Sequence, residues 1–161
     1  NMVIRKAHHS EAPRIILISR FEIEYNFEAL SSEQSIKNAI NNKNYEVIVA
    51  SINGIIEGFA KMRFQHKESH LMLLGVEPKN RRKGIGKALL SSLEDLCKKK
   101  TIKKIKLEVR ESNKIAKIFY ESLGYQKTKI VNKFYINDEN SIMMEKKKGK
   151  KFGTMKMVMS N

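Results

Sequence analysis

The dipeptide Asn53-Gly54 constrains the fold of this chain more than any other local feature. It separates two segments rich in β-branched and aromatic residues, which span residues 45–52 and 55–64. Asn-Gly readily adopts the positive φ angles of a tight two-residue turn, and such a turn between two apolar segments is typical of a hairpin. The sequence therefore predicts an antiparallel β-hairpin over residues 45–64.

The segments on either side of this hairpin alternate between strand-like and helix-like patterns. Further strands are predicted over residues 2–6, 70–77, 103–109, 125–135 and 141–147. Helices are predicted over residues 15–25, from a capping Ser31 or Ser32 to Ile40, over 84–100 and over 113–123. The order β-α-α-β-β-β-α-β-α-β-β predicts an α+β fold with a mixed, largely antiparallel sheet of about six or seven strands, flanked by about four helices.

Composition places the chain among single-domain globular proteins. With 161 residues, of which 41% are hydrophobic and 30% charged, it is large enough to bury a core and too apolar to be disordered. No apolar run reaches the roughly 20 residues of a membrane span. One cysteine cannot close an intrachain disulfide. We therefore expect a cytoplasmic protein without a membrane partner.

The chain is strongly basic, with 32 Lys and Arg against 17 Asp and Glu and a formal net charge of +15. Residues 146–161 contain six lysines and no acid. Such a surplus attracts polyanions, although a solvated lysine-rich surface is the simpler explanation. We therefore expect no more than a weak polyanion contact, through a basic C-terminal tail at residues 148–161.

Residues 76–90 contain the most informative pattern for a binding function. A predicted strand ends near Val76, and Pro78 and a basic turn with Gly84 and Gly86 then lead straight into a helix. Backbone N–H groups at a helix start are unpaired within the helix and attract anions, and glycine lets a phosphate approach the backbone closely. The turn has neither the Walker A spacing nor the three-glycine dinucleotide pattern. By itself it fits a polyphosphate cradle and an ordinary helix start about equally well.

Two motifs favour the first of these interpretations. Residues 81–86 (RRKGIG) fit Gln/Arg-x-x-Gly-x-Gly/Ala, and residues 113–125 fit Asn-x-x-Ala-x-x-Phe/Leu-Tyr-x-x-x-Gly-Phe/Tyr. In these motifs and in the order of its elements, the chain resembles the GNAT superfamily of N-acetyltransferases over residues 2–147, which we take as one domain. The resemblance implies the GNAT fold, with acetyl-coenzyme A (acetyl-CoA) as cosubstrate. The residues that it implies for acetyl-CoA binding are Leu74, Gly75, Val76, Arg81, Arg82, Lys83, Gly84, Ile85, Gly86, Lys87, Asn113 and Tyr120.

Two further segments resemble one branch of that superfamily. Residues 107–110 (LEVR), followed by Ser112-Asn113, and residues 133–135 (KFY) are similar to the RimI-type ribosomal-protein alanine acetyltransferases and to their relatives that acetylate protein N-termini. This resemblance implies a protein or peptide N-terminal α-amine as the acceptor. The acceptor-binding residues that it implies are Tyr25, Phe27 and Tyr135. The alternatives are a small-molecule amine as acceptor, or a non-catalytic module that binds coenzyme A or RNA.

The same motifs indicate which residues carry the chemistry. Tyr120 lies seven residues after Asn113, so both face the same side of their helix. The resemblance implies that Asn113 holds coenzyme amides while the phenol of Tyr120 protonates the departing thiolate. Glu108 corresponds to a proposed general base in the RimI-like branch, with His70 or Glu68 as substitutes. A core aromatic at position 120 and a solvent-facing carboxylate at position 108 are the alternatives.

Other polar groups complete the expectations from sequence. An oxyanion would most simply meet a backbone N–H near Val76, where the resemblance implies a bulge that separates this strand from residues 103–109. Cys97 is expected to be a small core residue, since no exposed cation is spaced to activate it. The four histidines lack the spacing of a metal site, so we predict no metal.

Overall fold

A computed structural model describes residues 1–20, 32–132 and 139–149 of the chain. The described residues form seven strands, β1 (Met2–Lys6), β2 (Tyr45–Ile52), β3 (Ile55–Gln65), β4 (Glu68–Val76), β5 (Lys104–Arg110), β6 (Gln126–Val131) and β7 (Ser141–Lys147). They also form four α-helices, α1 (Ala12–Ser19), α2 (Glu33–Ile40), α3 (Ile85–Lys99) and α4 (Lys114–Ser122). Short 3₁₀ helices precede α1 at His9–Glu11 and α3 at Pro78–Asn80.

The strands form one sheet in the order β1-β2-β3-β4-β5-β7-β6. Neighbouring strands are antiparallel except β4 and β5, which are parallel and are connected through α3. A parallel pair needs such a crossover, whereas antiparallel pairs can be joined by short turns. The predicted α+β fold with a mixed, largely antiparallel sheet is confirmed.

The predicted hairpin is formed by β2 and β3. Ile52 pairs with Ile55 across the turn, and Asn53 and Gly54 have φ angles of 52° and 82°. These positive angles are the ones that a two-residue turn requires and that Asn-Gly adopts most easily. The predicted antiparallel hairpin is therefore confirmed.

The next turn differs from the prediction. β3 continues to Gln65 and β4 begins at Glu68, two residues before the predicted start at residue 70. The connection is His66-Lys67, in which His66 has a φ of 57°. No Gly, Asn or Pro marks this turn, so it lacks the residues that predict one, and the apolar pattern placed the strand start too late.

The first two helices match the sequence in type, and α1 differs in extent. α1 ends at Ser19, with the predicted apolar residues Ile15 and Ile18 buried, while residues 21–31 lie outside the described part of the chain. The hydroxyl of Ser32 accepts a hydrogen bond of 3.0 Å from the Ser35 N–H, so the predicted capping serine of α2 is confirmed.

Helices cover both faces of the sheet. The larger core cluster joins α3 and α4 to one face, and its members include Leu89, Leu93, Ile105, Leu107 and Tyr120. The smaller cluster joins α1 and α2 to the other face, and its members include Ile15, Ile18, Ile36, Val49 and Phe59. Each such side chain contributes roughly 1.5–3 kcal/mol when fully buried. The strands in the middle of the sheet, β3 to β5, are thereby held in fixed positions.

Candidate active site

The loop between β4 and α3 has the backbone geometry of an anion cradle. Arg82 and Gly84 have φ angles of 66° and 81°, both in the left-handed region. Gly84 is the N-cap of α3, and the helix begins with a 3.0 Å hydrogen bond from the Ala88 N–H to the Gly84 carbonyl. The N–H groups of residues 85–87 precede that bond and lie at the positive end of the helix. This arrangement fits a phosphate ligand.

Buried polar contacts fix the same loop to β3. The Asn80 side-chain amide donates to the carboxylate of Glu57, which is 4% exposed, and the Asn80 Oδ1 accepts from Lys83 Nζ at 3.1 Å. Lys79 Nζ lies 3.8 Å from Glu57 Oε1. The spacing of these residues in the sequence does not predict this network. Its one sequence signal is an acid within the apolar strand IIEGFA, which could have marked Glu57 as a buried carboxylate.

β4 and β5 are paired along a short stretch, which leaves a gap between their other ends. Residues 68–70 pair with residues 104–106, and no described residue beyond this stretch pairs the two strands. β4 also contains a bulge: Lys61 pairs with Leu73 and Met62 with Leu71, so Met72 is the extra residue. The predicted bulge therefore exists, but it lies at Met72 and not near Val76, which pairs regularly with β3.

The gap brings together the two residues predicted to carry the chemistry. Its lining consists of residues 71–74 of β4, Leu107 and Glu108 of β5, and Tyr120 of α4. Glu108 is half-buried and lies between the buried Leu107 and Val109, so it occupies the opposite face of β5, as its position in the strand predicts. A carboxylate and a phenol that meet in one narrow gap can exchange protons with the same bound molecule.

Tyr120 belongs both to the gap and to the core. It is 2% exposed, and its ring makes edge-to-face contacts with Phe119 and Tyr125, at centroid distances of 5.1 and 6.0 Å. The structure therefore contains the core aromatic that the sequence left as an alternative. The same side chain also lines the gap. Its packing gives the ring a fixed orientation.

Two other predicted cosubstrate residues have local structural roles. Asn113 is the N-cap of α4, and its Oδ1 accepts a 3.1 Å hydrogen bond from the Ala116 N–H. Gly75 has no room for a side chain, because a Cβ there would lie 2.8 Å from the Phe59 ring and 3.2 Å from the Ile18 carbonyl. Both residue types are thus explained by the fold, and their contact with acetyl-CoA stays a prediction.

Behind Tyr120 lies a buried ionic group that the sequence analysis did not find. Lys146 Nζ and Glu94 Oε1 are 2.9 Å apart, and both side chains are 2% exposed. The Tyr125 hydroxyl donates to Glu94 Oε2 at 2.9 Å, and burial raises the pKa of Tyr125 well above its usual value. The three residues come from α3, β7 and the segment after α4, so they hold these three parts of the chain together.

Cys97 is a core residue, as predicted. It is fully buried on α3, and its Sγ lies 3.5 Å from Ser69 Oγ and 3.7 Å from Met62 Sδ. Burial raises the pKa of the thiol to about 11. The thiol is therefore neutral at physiological pH and is not a nucleophile in the folded protein.

The remaining predicted residues lie outside the described part of the chain. These are Tyr25, Phe27 and Tyr135 of the acceptor site and residues 150–161 of the tail. Among the described residues, no group of three His, Cys, Asp or Glu side chains could hold a metal ion. No helix in the described ranges has the length and apolar content to cross a membrane.

The helix start after β4 has the geometry of a phosphate cradle, and the gap between the parallel strands β4 and β5 is lined by an acid and a phenol. Residues 16–148 match the acetyltransferase (GNAT) domain family, and the chain belongs to that family of enzymes. The superfamily resemblance drawn from the two motifs is thereby confirmed.

Individual proteins similar to this chain are named as N-acetyltransferases. The chain is 38% identical over 101 residues to an uncharacterized N-acetyltransferase of Methanocaldococcus jannaschii, covering 62% of this chain and 65% of that protein. It is 37% identical over 83 residues to a ribosomal-protein alanine N-acetyltransferase of Escherichia coli, covering 52% and 56%. It thus spans less than two thirds of either. An N-alpha-acetyltransferase of Sulfurisphaera tokodaii is 27% identical over 156 residues, covering 88% and 90%.

The fold is also that of a solved relative. The crystal structure of the ribosomal-protein alanine N-acetyltransferase from Escherichia coli superimposes with a TM-score of 0.78 and 27% identity, covering 90% of this chain and 92% of that one. A coenzyme A complex of an N-acetyltransferase from Thermoplasma acidophilum, at 23% identity and a TM-score of 0.76, has the same fold.

Proposed function

We propose that this protein transfers the acetyl group of acetyl-CoA directly to a primary amine, and that the acceptor is a protein or peptide N-terminal α-amine. The observation that carries the proposal is the meeting of Glu108 and Tyr120 in the gap between β4 and β5, next to the anion cradle. The names of the Escherichia coli and Sulfurisphaera tokodaii relatives support the choice of acceptor.

The cradle and the edge of β4 are the proposed binding surface for acetyl-CoA. Residues 81–87 supply backbone N–H groups and cationic side chains for the pyrophosphate. Residues 74–76 pair with β3 along one edge of β4. Their other edge has no partner strand among the described residues, and it offers backbone groups to the pantetheine amides. Asn113 adds a side-chain amide at the start of α4.

Bound acetyl-CoA supplies an activated acyl group. In our proposal, Glu108 accepts a proton from the amine, and the Tyr120 hydroxyl donates a proton to the departing thiolate. The backbone N–H near Val76 donates to the carbonyl oxygen as negative charge develops there. Tyr25, Phe27 and Tyr135 are proposed to contact the acceptor, no metal takes part, and the enzyme works in the cytoplasm.

Thiol release with single-residue variants tests the chemistry. Tyr120→Phe is expected to lower kcat about 100-fold or more while coenzyme A affinity and Tm stay near wild type, because one hydroxyl is lost and the ring remains. Glu108→Gln is expected to lower the rate most below the pKa of the amine and to recover as pH rises. Tyr45→Phe, on β2, is the matched control. An unchanged kcat for Tyr120→Phe would refute the acid role.

Calorimetric titration with coenzyme A tests the cradle. Gly84→Asp is expected to abolish saturable binding, because it places a side chain and a negative charge where the phosphate would lie. Gly54→Asp is the control, since Gly54 has a similar φ of 82°, against 81° at Gly84, and lies in the distant hairpin turn. Equal binding by both variants would overturn the assignment of residues 81–87. The alternative of a non-catalytic module predicts binding without thiol release from any peptide or small amine.

A further inference from the structure

A second cleft, which we call the basic cleft, is built from the ends of β3, β4, β5 and β7. Its volume is about 750 Å³. Six cationic side chains line it: Arg63, Lys67, Lys103, Lys104, Lys106 and Lys147. Among the described residues of its lining, Glu68 is the one carboxylate. The cleft therefore favours an anionic ligand.

Strand register shows where the basic cleft lies relative to Glu108. Arg63 pairs with His70, and His70 pairs with Lys106, so these residues form one row across three strands. Lys104, Lys106 and Glu108 alternate with buried residues along β5 and therefore share one face. Two residues of a strand span roughly 7 Å, so the row that contains Lys106 lies roughly 7 Å from Glu108 and the row of Lys104 roughly 14 Å away.

Much of the positive charge in the cleft is not neutralised by the described residues. Glu68 lies 3.8 Å from Lys104 Nζ and 3.4 Å from Lys106 Nζ, and Glu145 lies 3.4 Å from Lys104 Nζ, so these two carboxylates neutralise part of that charge. Three further lysines have no carboxylate within salt-bridge distance among residues 1–20, 32–132 and 139–149, namely Lys67, Lys103 and Lys147. The Nε of Arg63 is buried and has no hydrogen-bond partner in those ranges. An anionic group in the cleft would meet several of these donors at once.

We propose that the basic cleft binds acidic side chains of the acceptor, so that the enzyme prefers peptides with Asp or Glu a few residues after the acetylated amine. This inference rests on the proposed function. An extended peptide advances roughly 3.3 Å per residue, so an amine at Glu108 places its third residue near Lys106 and its fifth near Lys104. A peptide is favoured over a nucleic acid because the cleft continues the face of β5 that carries Glu108.

Two peptides that differ in glutamate against glutamine at positions 3 and 5 test this inference. Wild-type enzyme is expected to give a kcat/KM about tenfold higher for the glutamate peptide at low salt, mainly through KM, and the difference shrinks as salt is added. The double variant Lys106→Gln, Lys147→Gln is expected to reduce the preference to about twofold, through a lower kcat/KM for the glutamate peptide. Lys6→Gln, an exposed lysine on β1, is the control and keeps the full preference.

The possible outcomes separate this inference from the proposed function. Equal kcat/KM for the two wild-type reactions overturns the acidic-acceptor inference and leaves acetyl transfer intact. Absence of thiol release with both peptides overturns both. Equal kcat/KM together with salt-sensitive binding of a single-stranded RNA oligonucleotide, weakened in the double variant, assigns the basic cleft to nucleic acid and overturns the peptide assignment. The charge-reversal variant Lys106→Glu should instead favour a peptide with lysine at position 3.

Discussion

Two buried glutamates with similar exposure have very different surroundings. Glu94 and its partner Lys146 are both 2% exposed at a separation of 2.9 Å. The Glu57 side chain is 6% exposed, but its partner Lys79 is 71% exposed and 3.8 Å away. The first pair is enclosed between α3 and β7, and the second opens to solvent at the cradle loop. The comparison indicates that the enclosed pair stabilises the whole domain, whereas the open one fixes the shape of a binding loop.

The largest expected effect comes from breaking the enclosed pair. Glu94→Gln keeps the side-chain shape but leaves the Lys146 ammonium buried without its counter-charge, which destabilises a protein by about 3–5 kcal/mol. Chemical denaturation measures this loss. The single cysteine adds a local probe, because Cys97 lies one turn after Glu94 on α3 and its thiol should react faster with alkylating reagents in the variant.

A double variant distinguishes the charge from the packing. Glu94→Leu combined with Lys146→Met removes both charges together and is expected to recover most of the stability lost in Glu94→Gln, since a well-packed apolar pair can replace a buried ion pair. A double variant that is no more stable than Glu94→Gln would show that shape, rather than the uncompensated charge, accounts for the effect.

The next effect is expected at the open site. Glu57→Leu leaves the buried Asn80 amide without its acceptor, which costs about 1–3 kcal/mol in stability. Because Asn80 also contacts Lys83, we expect the affinity for coenzyme A, measured by calorimetric titration, to fall about tenfold. This loss of affinity should be larger than the one that Glu94→Gln causes in the folded protein. Glu57→Gln retains an acceptor oxygen and should bind coenzyme A nearly normally. If Glu57→Leu binds as tightly as wild type, the loop does not depend on this network.

The smallest effect is expected from the exposed partner. Lys79→Gln removes an ion pair in which one side chain is 71% exposed, and exposed pairs contribute about 0–1 kcal/mol. Thermal unfolding should therefore give a Tm close to that of wild type. A Tm loss as large as that of Glu94→Gln would contradict the distinction between the enclosed and the open pair.

Sequence reasoning succeeded where the determining interaction is local. Asn53-Gly54 specifies its own turn, Ser32 caps α2, and Gly84 marks the start of α3. In each case the residue that determines the turn or the helix end lies within a few positions of the backbone that it shapes. The strand-helix-strand order around Gly84 then limited the fold to very few choices.

What sequence reasoning missed depends on contacts between distant residues. Glu94 and Lys146 are 52 residues apart, and Glu57 and Asn80 are 23 apart, so no spacing pattern links either pair. The bulge at Met72 is likewise set by the pairing of β4 with β3 and not by its own side chain. Motifs indicated Glu108 and Tyr120 as separate residues. They line a single gap because β4 and β5 diverge beyond their short pairing.

The short pairing of β4 with β5 also makes the sheet two units joined along one seam. β1 to β4 form one antiparallel unit and β5, β7 and β6 form the other, and in the described chain strand pairing connects the two at residues 68–70 and 104–106. The larger core cluster contains residues of both units, so packing as well as strand pairing sets the width of the gap that Glu108 and Tyr120 line. Residues at the seam therefore help to set the spacing of two side chains beyond it, although they lie at the opposite end of the strands from the cradle.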